Sequence, residues 1–175
     1  MDIFPDDLYS VWHKKHLLPK TAAISAGEYF TYFKKWVDAG FQVVHLNLGS
    51  ALSSSYQNCC IAAKELGNVF PINSCNLSTG LGLLVLEAAE RARAGMPAEQ
   101  IQQEISWLIP DSHASFILNT LEFMHAGGRC SAVTALGANL LRLKPCIQVD
   151  NHRNGAMGVG KKYRGDLEQV LNRYV

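Results

Sequence analysis

The chain has 175 residues, 48% of them hydrophobic and 18% charged, which is enough apolar material to bury a real core. Sixteen Lys and Arg stand against 15 Asp and Glu for a formal net charge of +1, so there is no basic field of the kind that nucleic acid or an anionic membrane demands. The opening Met1-Asp2-Ile3-Phe4-Pro5-Asp6-Asp7 lacks the basic and then apolar pattern of a secretory signal. Leu81 to Ala89, the longest apolar stretch, is broken by Glu87 and falls far short of the roughly 20 residues that cross a bilayer. The expectation is a cytoplasmic protein with no integral membrane segment and no nucleic-acid partner.

Leu8, Val11 and Trp12 lie at helical spacing and predict a helix from Asp6 to His16, closed by Leu17-Leu18-Pro19. Ser25-Ala26-Gly27-Glu28 has the form of a capping box and opens a second helix that stops at Gly40. Phe41 to Leu48 is the run of a buried strand, and Ser53 to Leu66 has helical period. The alternation repeats, with Asn68 to Ile72 as strand, Leu77 to Gly95 as helix and Pro97 to Leu108 as another. Such order predicts an α/β fold with parallel βαβ units and flanking helices.

From Ser115 the texture changes. Phe116 to Leu118 is a short strand, Leu121 to Ala126 a short helix, Gly127-Gly128 a break, and Ser131 to Leu141 a helix. Cys146 to Val149 and Ala156 to Tyr163 form a hairpin around Asn151 to Gly155, and Leu167, Val170 and Leu171 mark a last helix. The expected division is a βαβ portion over 1–114 and a smaller, partial α+β subdomain over 115–175.

The segment 48–56, Leu-Gly-Ser-Ala-Leu-Ser-Ser-Ser-Tyr, follows a strand and opens a helix, so hydroxyls and backbone N–H groups converge at the positive end of a helix dipole. With no Lys and no glycine cradle, a carboxylate suits it better than a phosphate; the competing assignment is that Ser53 simply caps the helix. Lys20 to Ser25 is a second hydroxyl-bearing turn before a helix. Gly127-Gly128-Arg129 suits anion contact or a structural ion pair. Gly155 to Lys161 fits part of a phosphate-loop pattern, but Lys162 replaces the Ser or Thr that would ligate Mg²⁺. His13 and His16 find no third metal ligand. Cys59, Cys60, Cys75, Cys130 and Cys146 follow neither zinc nor redox spacing and are expected as reduced thiols. No nucleophile elbow and no carboxylate pair is present, so no catalytic residue is assigned.

Taken in order, these segments resemble the DegV family of fatty-acid-binding proteins. Lys20 to Ser25 stands at that family's P-T-T-S-Q-P-S, matching Thr21 and Ser25, and Gly49 to Gln57 is similar to S-S-x-L-S-G-T-Y-Q, with Ser50 on the second Ser. Thr120 to Ser131 resembles T-L-x-Y-L-x-x-G-G-R-I-S, Leu140 to Pro145 resembles L-L-x-I-K-P, and Lys162 to Gly165 falls on K-x-R-G. The D-S-T strand region and the H-x-G-P-G segment of the family are absent from the sequence, and Gly49, Ala22 and Ser54 depart from its pattern.

The resemblance implies a non-enzymatic carrier of a long-chain fatty acid such as palmitate, with no other cofactor and no metal. Thr21 and Ser50 would hold the carboxylate, the acyl chain would thread an apolar tunnel, and the loaded carrier would be presented to a separate ATP-dependent fatty-acid kinase. Arg129 and Arg164 are the implied contacts for the phosphoryl group or the kinase. Two alternatives stay open at this stage: a small phosphotransferase or nucleotide-binding domain using Gly160 and Lys161, and a truncated remnant of the carrier without function.

Overall fold

The computed structural model describes residues 3–127 and 143–174. The predicted helix over 131–141 and the residue Arg129 lie outside them.

Helix α1 (Pro5–Lys15) carries Asp6 and Asp7 in its first turn and His13, Lys14 and Lys15 in its last, in keeping with the helix dipole. It rests on the later part of the chain. Tyr9 meets Phe123 edge-on at 5.4 Å, and Trp12 Nε1 donates to Glu122 Oε1 at 2.7 Å. Helix α2 (Ala26–Asp38) begins in the expected capping box: Glu28 N–H donates to Ser25 Oγ at 3.2 Å, and Ser25 N–H donates to Glu28 Oε2 at 2.9 Å. It ends in a left-handed glycine. Gly40 (φ +87°) donates to Val37 O and Phe41 donates to Trp36 O, the paired bonds of a Schellman motif. That turn takes Phe41 out of the predicted strand and sets its ring against Trp36 at 5.9 Å.

Strands β1 (Val43–Asn47) and β2 (Val69–Asn73) pair in parallel, Val43 opposite Val69 and Asn47 opposite Asn73, with α3 (Ser55–Leu66) as the crossover. Helices cover both faces. On one, Tyr29 and Phe33 of α2 pack with Cys59, Ala62 and Ala63 of α3 against Val69. On the other, Leu84 and Ala88 of α4 (Ser78–Arg93) and Ile101 and Ile105 of α5 (Ala98–Leu108) close over Ile72. The strands read as continuous apolar runs because both of their faces are covered.

A 3-10 turn, Ile109–Asp111, leads into a second sheet of order β3-β4-β5, all antiparallel: β3 (Ala114–Ile117), β4 (Leu143–Asp150) and β5 (Ala156–Arg164). Its apolar face gathers Ile147, Phe116, Met157 and Val159 with Leu121 and Met124 of the α6 region (α6, Glu122–Ala126). Helix α7 (Leu167–Tyr174) buries Val170 completely. The run resembling a phosphate loop occupies the hairpin turn and β5, with no helix following its glycines as such a loop requires. Gly80 serves packing instead: a Cβ there would meet Asn76 Oδ1 at 2.4 Å, and Asn76 is the buried amide that ties α4 to Ser112.

Among the described residues no buried side-chain N or O atom is left without a hydrogen bond. No described helix is long and apolar enough to cross a membrane.

Candidate carboxylate site

Parallel strands place their carboxyl ends on one side, where α/β folds collect ligands because the loops there are free of the sheet ladder. Here β1 runs out into residues 48–54 and β2 into 74–77. Between the strand ends Asn47 is buried: it accepts from Tyr29 OH at 3.3 Å and donates to Ile72 O at 3.4 Å. The next turn is closed by Gly49 N–H to Asn76 O at 2.9 Å and Leu52 N–H to Gly49 O at 2.8 Å.

The tip of the β4–β5 hairpin reaches this edge from the second sheet. Ala51 N–H donates to Asn154 O at 3.1 Å, and Gly155 (φ +84°) lies against Gly49 and Cys75. The contact needs both glycines. A Cβ on Gly49 would stand 2.5 Å from Asn154 O, and one on Gly155 would stand 2.9 Å from the carbonyl carbon of Cys75.

Ser50 is exposed at the centre of this junction, and Asn73 grips it twice. Ser50 N–H donates to Asn73 Oδ1 at 3.0 Å, and Asn73 Nδ2 donates to Ser50 Oγ at 2.9 Å. Asn73 Oδ1 also accepts from Cys75 N–H at 3.2 Å, while its Nδ2 reaches Asn154 Oδ1 at 3.4 Å. Because Ser50 Oγ is engaged as an acceptor, its own proton is the group left to give. No described residue accepts it.

Ser53 is not the helix cap. Ser54 holds that position and makes no side-chain cap bond, while Ser53 Oγ, one residue earlier, accepts from Ser55 N–H at 3.1 Å and pairs with Ser55 Oγ at 2.8 Å. At the positive end of α3 the N–H of Ser55 is thus met by the Ser53 hydroxyl, while Ser54 adds no side-chain cap bond.

Thr21 lies in the exposed turn before α2, and Asn58 of α3 holds that turn by donating to Ile24 O at 2.7 Å. Both hydroxyl-bearing turns thus abut α3. Thr21 lines a cavity of about 390 Å3 with Trp12, His16 and Gly127. Its wall of Leu17, Leu18 and Pro19 is shared with an apolar cavity of about 600 Å3 that Leu8 and Val11 of α1 complete. Arg164 is elsewhere. It ends β5, whose nine residues span roughly 25–30 Å from the hairpin tip at about 3.3 Å each. Its carbonyl accepts from the Arg173 guanidinium, and its side chain is exposed.

Two ionisable groups of α3 and one of the loop after β2 are held neutral at ordinary pH. Burial first, then a hydrogen bond with Cys60 and the nearby thiols, pushes the Tyr56 hydroxyl up to about 12. Burial raises the Cys59 thiol to about 11 and lifts Cys75 as well. The thiols stay protonated, so none supplies a thiolate nucleophile. What the junction presents is neutral donors at a helix N-terminus, an arrangement suited to an anion head group. Among the described residues no group of three His, Cys, Asp or Glu side chains could hold a metal ion.

Ser50 and Thr21 were identified from the sequence; Asn73 and Asn154 were not. Asn73 carried one usable signal, its place at the carboxyl end of a parallel strand. Asn154 carried none, because its part depends on a contact across 81 positions.

A two-stranded parallel βαβ layer joined at its carboxyl edge to the tip of an antiparallel hairpin defines an α/β fold with hydroxyl-bearing loops at that edge. Residues 1–174 match the family model described as "Uncharacterised protein, DegV family", and the chain belongs to the DegV family. A DegV domain-containing protein of Clostridium acetobutylicum is 30% identical over 95% of this chain and 59% of its own length. The chain thus spans about three fifths of the length of the curated relatives it matches. Among solved structures, a Thermus thermophilus DegV family protein described for fatty acid binding superposes with a TM-score of 0.81 at 25% identity, covering 99% of this chain and 62% of that one. A fatty acid binding DegV family protein of Streptococcus agalactiae does so with a TM-score of 0.79 at 27% identity, over 98% and 60%.

Proposed function

We propose that this chain binds a long-chain fatty acid, with the carboxylate held by the hydroxyls of Ser50 and Thr21 and the acyl chain in apolar space between the helices. The observation that carries this reading is the state of Ser50: its oxygen is occupied by Asn73 and, among the described residues, its proton is unclaimed, in the loop that leads into α3. Support also comes from the fatty acids bound by relatives of the same fold.

Magnitudes divide the work between the two ends of the ligand. About fifteen methylenes buried at ~0.8 kcal/mol each contribute on the order of 12 kcal/mol gross, enough to offset ordering and partial desolvation of the head group. A hydroxyl bonded to a carboxylate adds about 1.5–3 kcal/mol and sets orientation. The tail supplies affinity and the head supplies selection.

In the same reading the chain is a carrier and not the enzyme, working in the cytoplasm and offering the carboxylate to a separate ATP-dependent fatty-acid kinase. In this reading Arg164, exposed at the far end of β5, and Arg129 are the contacts for the phosphoryl group or the kinase. The division at 114 and 115 puts both carboxylate loops in the first portion.

Mass spectrometry of an organic extract of purified protein, followed by palmitate titration of the stripped protein, tests the reading. A co-purified long-chain acid and saturable palmitate uptake are expected. Empty protein that also takes up no palmitate would contradict it.

A further inference from the structure

The run from Gly155 to Lys162 has no role in the carboxylate site beyond Gly155 itself. Beside it lies a polar cavity of about 450 Å3 whose lining does not include Ser50. Ala156 and Gly158 contribute small residues to its lining, and a Cβ on Gly158 would meet no atom within 4 Å. Gly160 lets the Gln148 side chain lie across the sheet, because a Cβ there would stand 2.6 Å from Gln148 Cδ.

Four polar groups border this cavity unused. The Arg153 guanidinium, the imidazoles of His113 and His152, and the Gln148 amide make no hydrogen bond or ion pair with any described residue. Asp150 is only half committed: its Oδ1 accepts from His152 N–H at 3.0 Å, and its other oxygen is open. Ser115 Oγ is paired with Tyr174 OH at 2.5 Å. Three nitrogen-rich side chains, a carboxylate and an amide thus line one cavity. The volume falls within the range of small-molecule sites, about 300–1,000 Å3.

We propose that this cavity binds a sugar phosphate, meaning a phosphate monoester on a ribose-like body. The forked guanidinium of Arg153, with the two imidazoles, takes the phosphate oxygens, for which a planar multi-donor group is better matched than a point charge. The free oxygen of Asp150 and the amide of Gln148 accept and donate to sugar hydroxyls, as a carboxylate does to a ribose in dinucleotide sites. A simple anion would use only Arg153 and the two imidazoles and leave Asp150 as a repulsive neighbour. The pairing of charge and hydroxyl acceptors therefore favours the ester over inorganic phosphate. This inference does not rest on the fatty-acid reading, and neither Ser50 nor Thr21 lines the cavity.

Saturation-transfer NMR on the full chain with AMP, ribose 5-phosphate, inorganic phosphate and ribose separates the cases. Saturable binding of AMP or ribose 5-phosphate at about 1 mM or tighter is expected, weakened about tenfold or more by Arg153→Ala. Asp150→Asn should weaken the sugar phosphate while leaving inorganic phosphate bound at least as well, and the amide oxygen can still accept from His152 N–H to cap the turn. Because Arg153 is exposed, the variant keeps its fold, which an unchanged circular dichroism spectrum and unchanged palmitate uptake would verify. No saturable binding up to about 10 mM, equal binding in Arg153→Ala, or inorganic phosphate matching both esters would overturn the proposal.

Discussion

Ser50 is held in place by its neighbours before any ligand arrives. Asn73 fixes both its N–H and its oxygen, so the hydroxyl need not reorganise to donate. Ser50→Ala should therefore weaken palmitate binding by about 1.5–3 kcal/mol, roughly ten- to a hundredfold, with the thermal midpoint little moved because the side chain is exposed. Isothermal titration of the variant reads this directly, and unchanged affinity would remove Ser50 from the site. Gly49 has the opposite character. In Gly49→Ala the new methyl would run into the backbone of Asn154 and Gly155, two neighbours that cannot rotate away. A loss of about 1–3 kcal/mol in urea unfolding is expected, together with reduced palmitate affinity as the tip is pushed off Ala51.

At the scale of elements, α2 and β1 meet through aromatic rings. His45 of β1 packs edge-on to Tyr29 at 5.3 Å and to Phe33 at 5.2 Å, and burial lowers its pKa from the ordinary 6.5. A folded-state pKa below the unfolded one means that the unfolded chain binds more protons near and below pH 6.5. This contribution to stability is complete above 6.5 and is lost as the pH falls through the lowered folded value. Urea midpoints taken from about pH 7.5 down to about pH 5 should fall, and His45→Gln should flatten that part of the slope. Phe33→Ala should cost about 3–5 kcal/mol, since that ring is 1% exposed at the centre of the α2–α3 cluster.

The same elements explain what could be read from the sequence. The α/β alternation, the capping box at Ser25 and the hairpin at Asn154-Gly155 are local patterns: each is set by residues within a few positions, so periodicity and turn chemistry reveal them. The ends of β1 were not legible, because the Gly40 turn claims Phe41 through a packing contact with Trp36. Ser53 was assigned one position off for a similar reason: a serine that bonds Ser55 resembles a cap until the helix start at Ser55 is known. Asn73 and Asn154 acquire their parts only when the second sheet is laid against the first.

At the scale of the molecule, two sheets share one functional edge. Buried amides hold the junction: Asn151 Nδ2 donates to Ile109 O and Pro110 O at 2.9 Å each, and Asn76 Nδ2 donates to Ser112 O at 2.7 Å. Breaking either leaves unpaired carbonyls in a desolvated place, at about 1–3 kcal/mol per group. The junction matters because the hairpin tip from one sheet supports the hydroxyl loop of the other, so the proposed head-group site would belong to neither alone.

The position of a bound carboxylate tests this most directly. A crystal structure of the full chain with palmitate should place a carboxylate oxygen about 2.5–3.0 Å from Ser50 Oγ, with Asn73 still donating to that oxygen. Palmitate seated with its carboxylate away from both Ser50 and Thr21, and Ser50 unchanged beside Asn73, would contradict it.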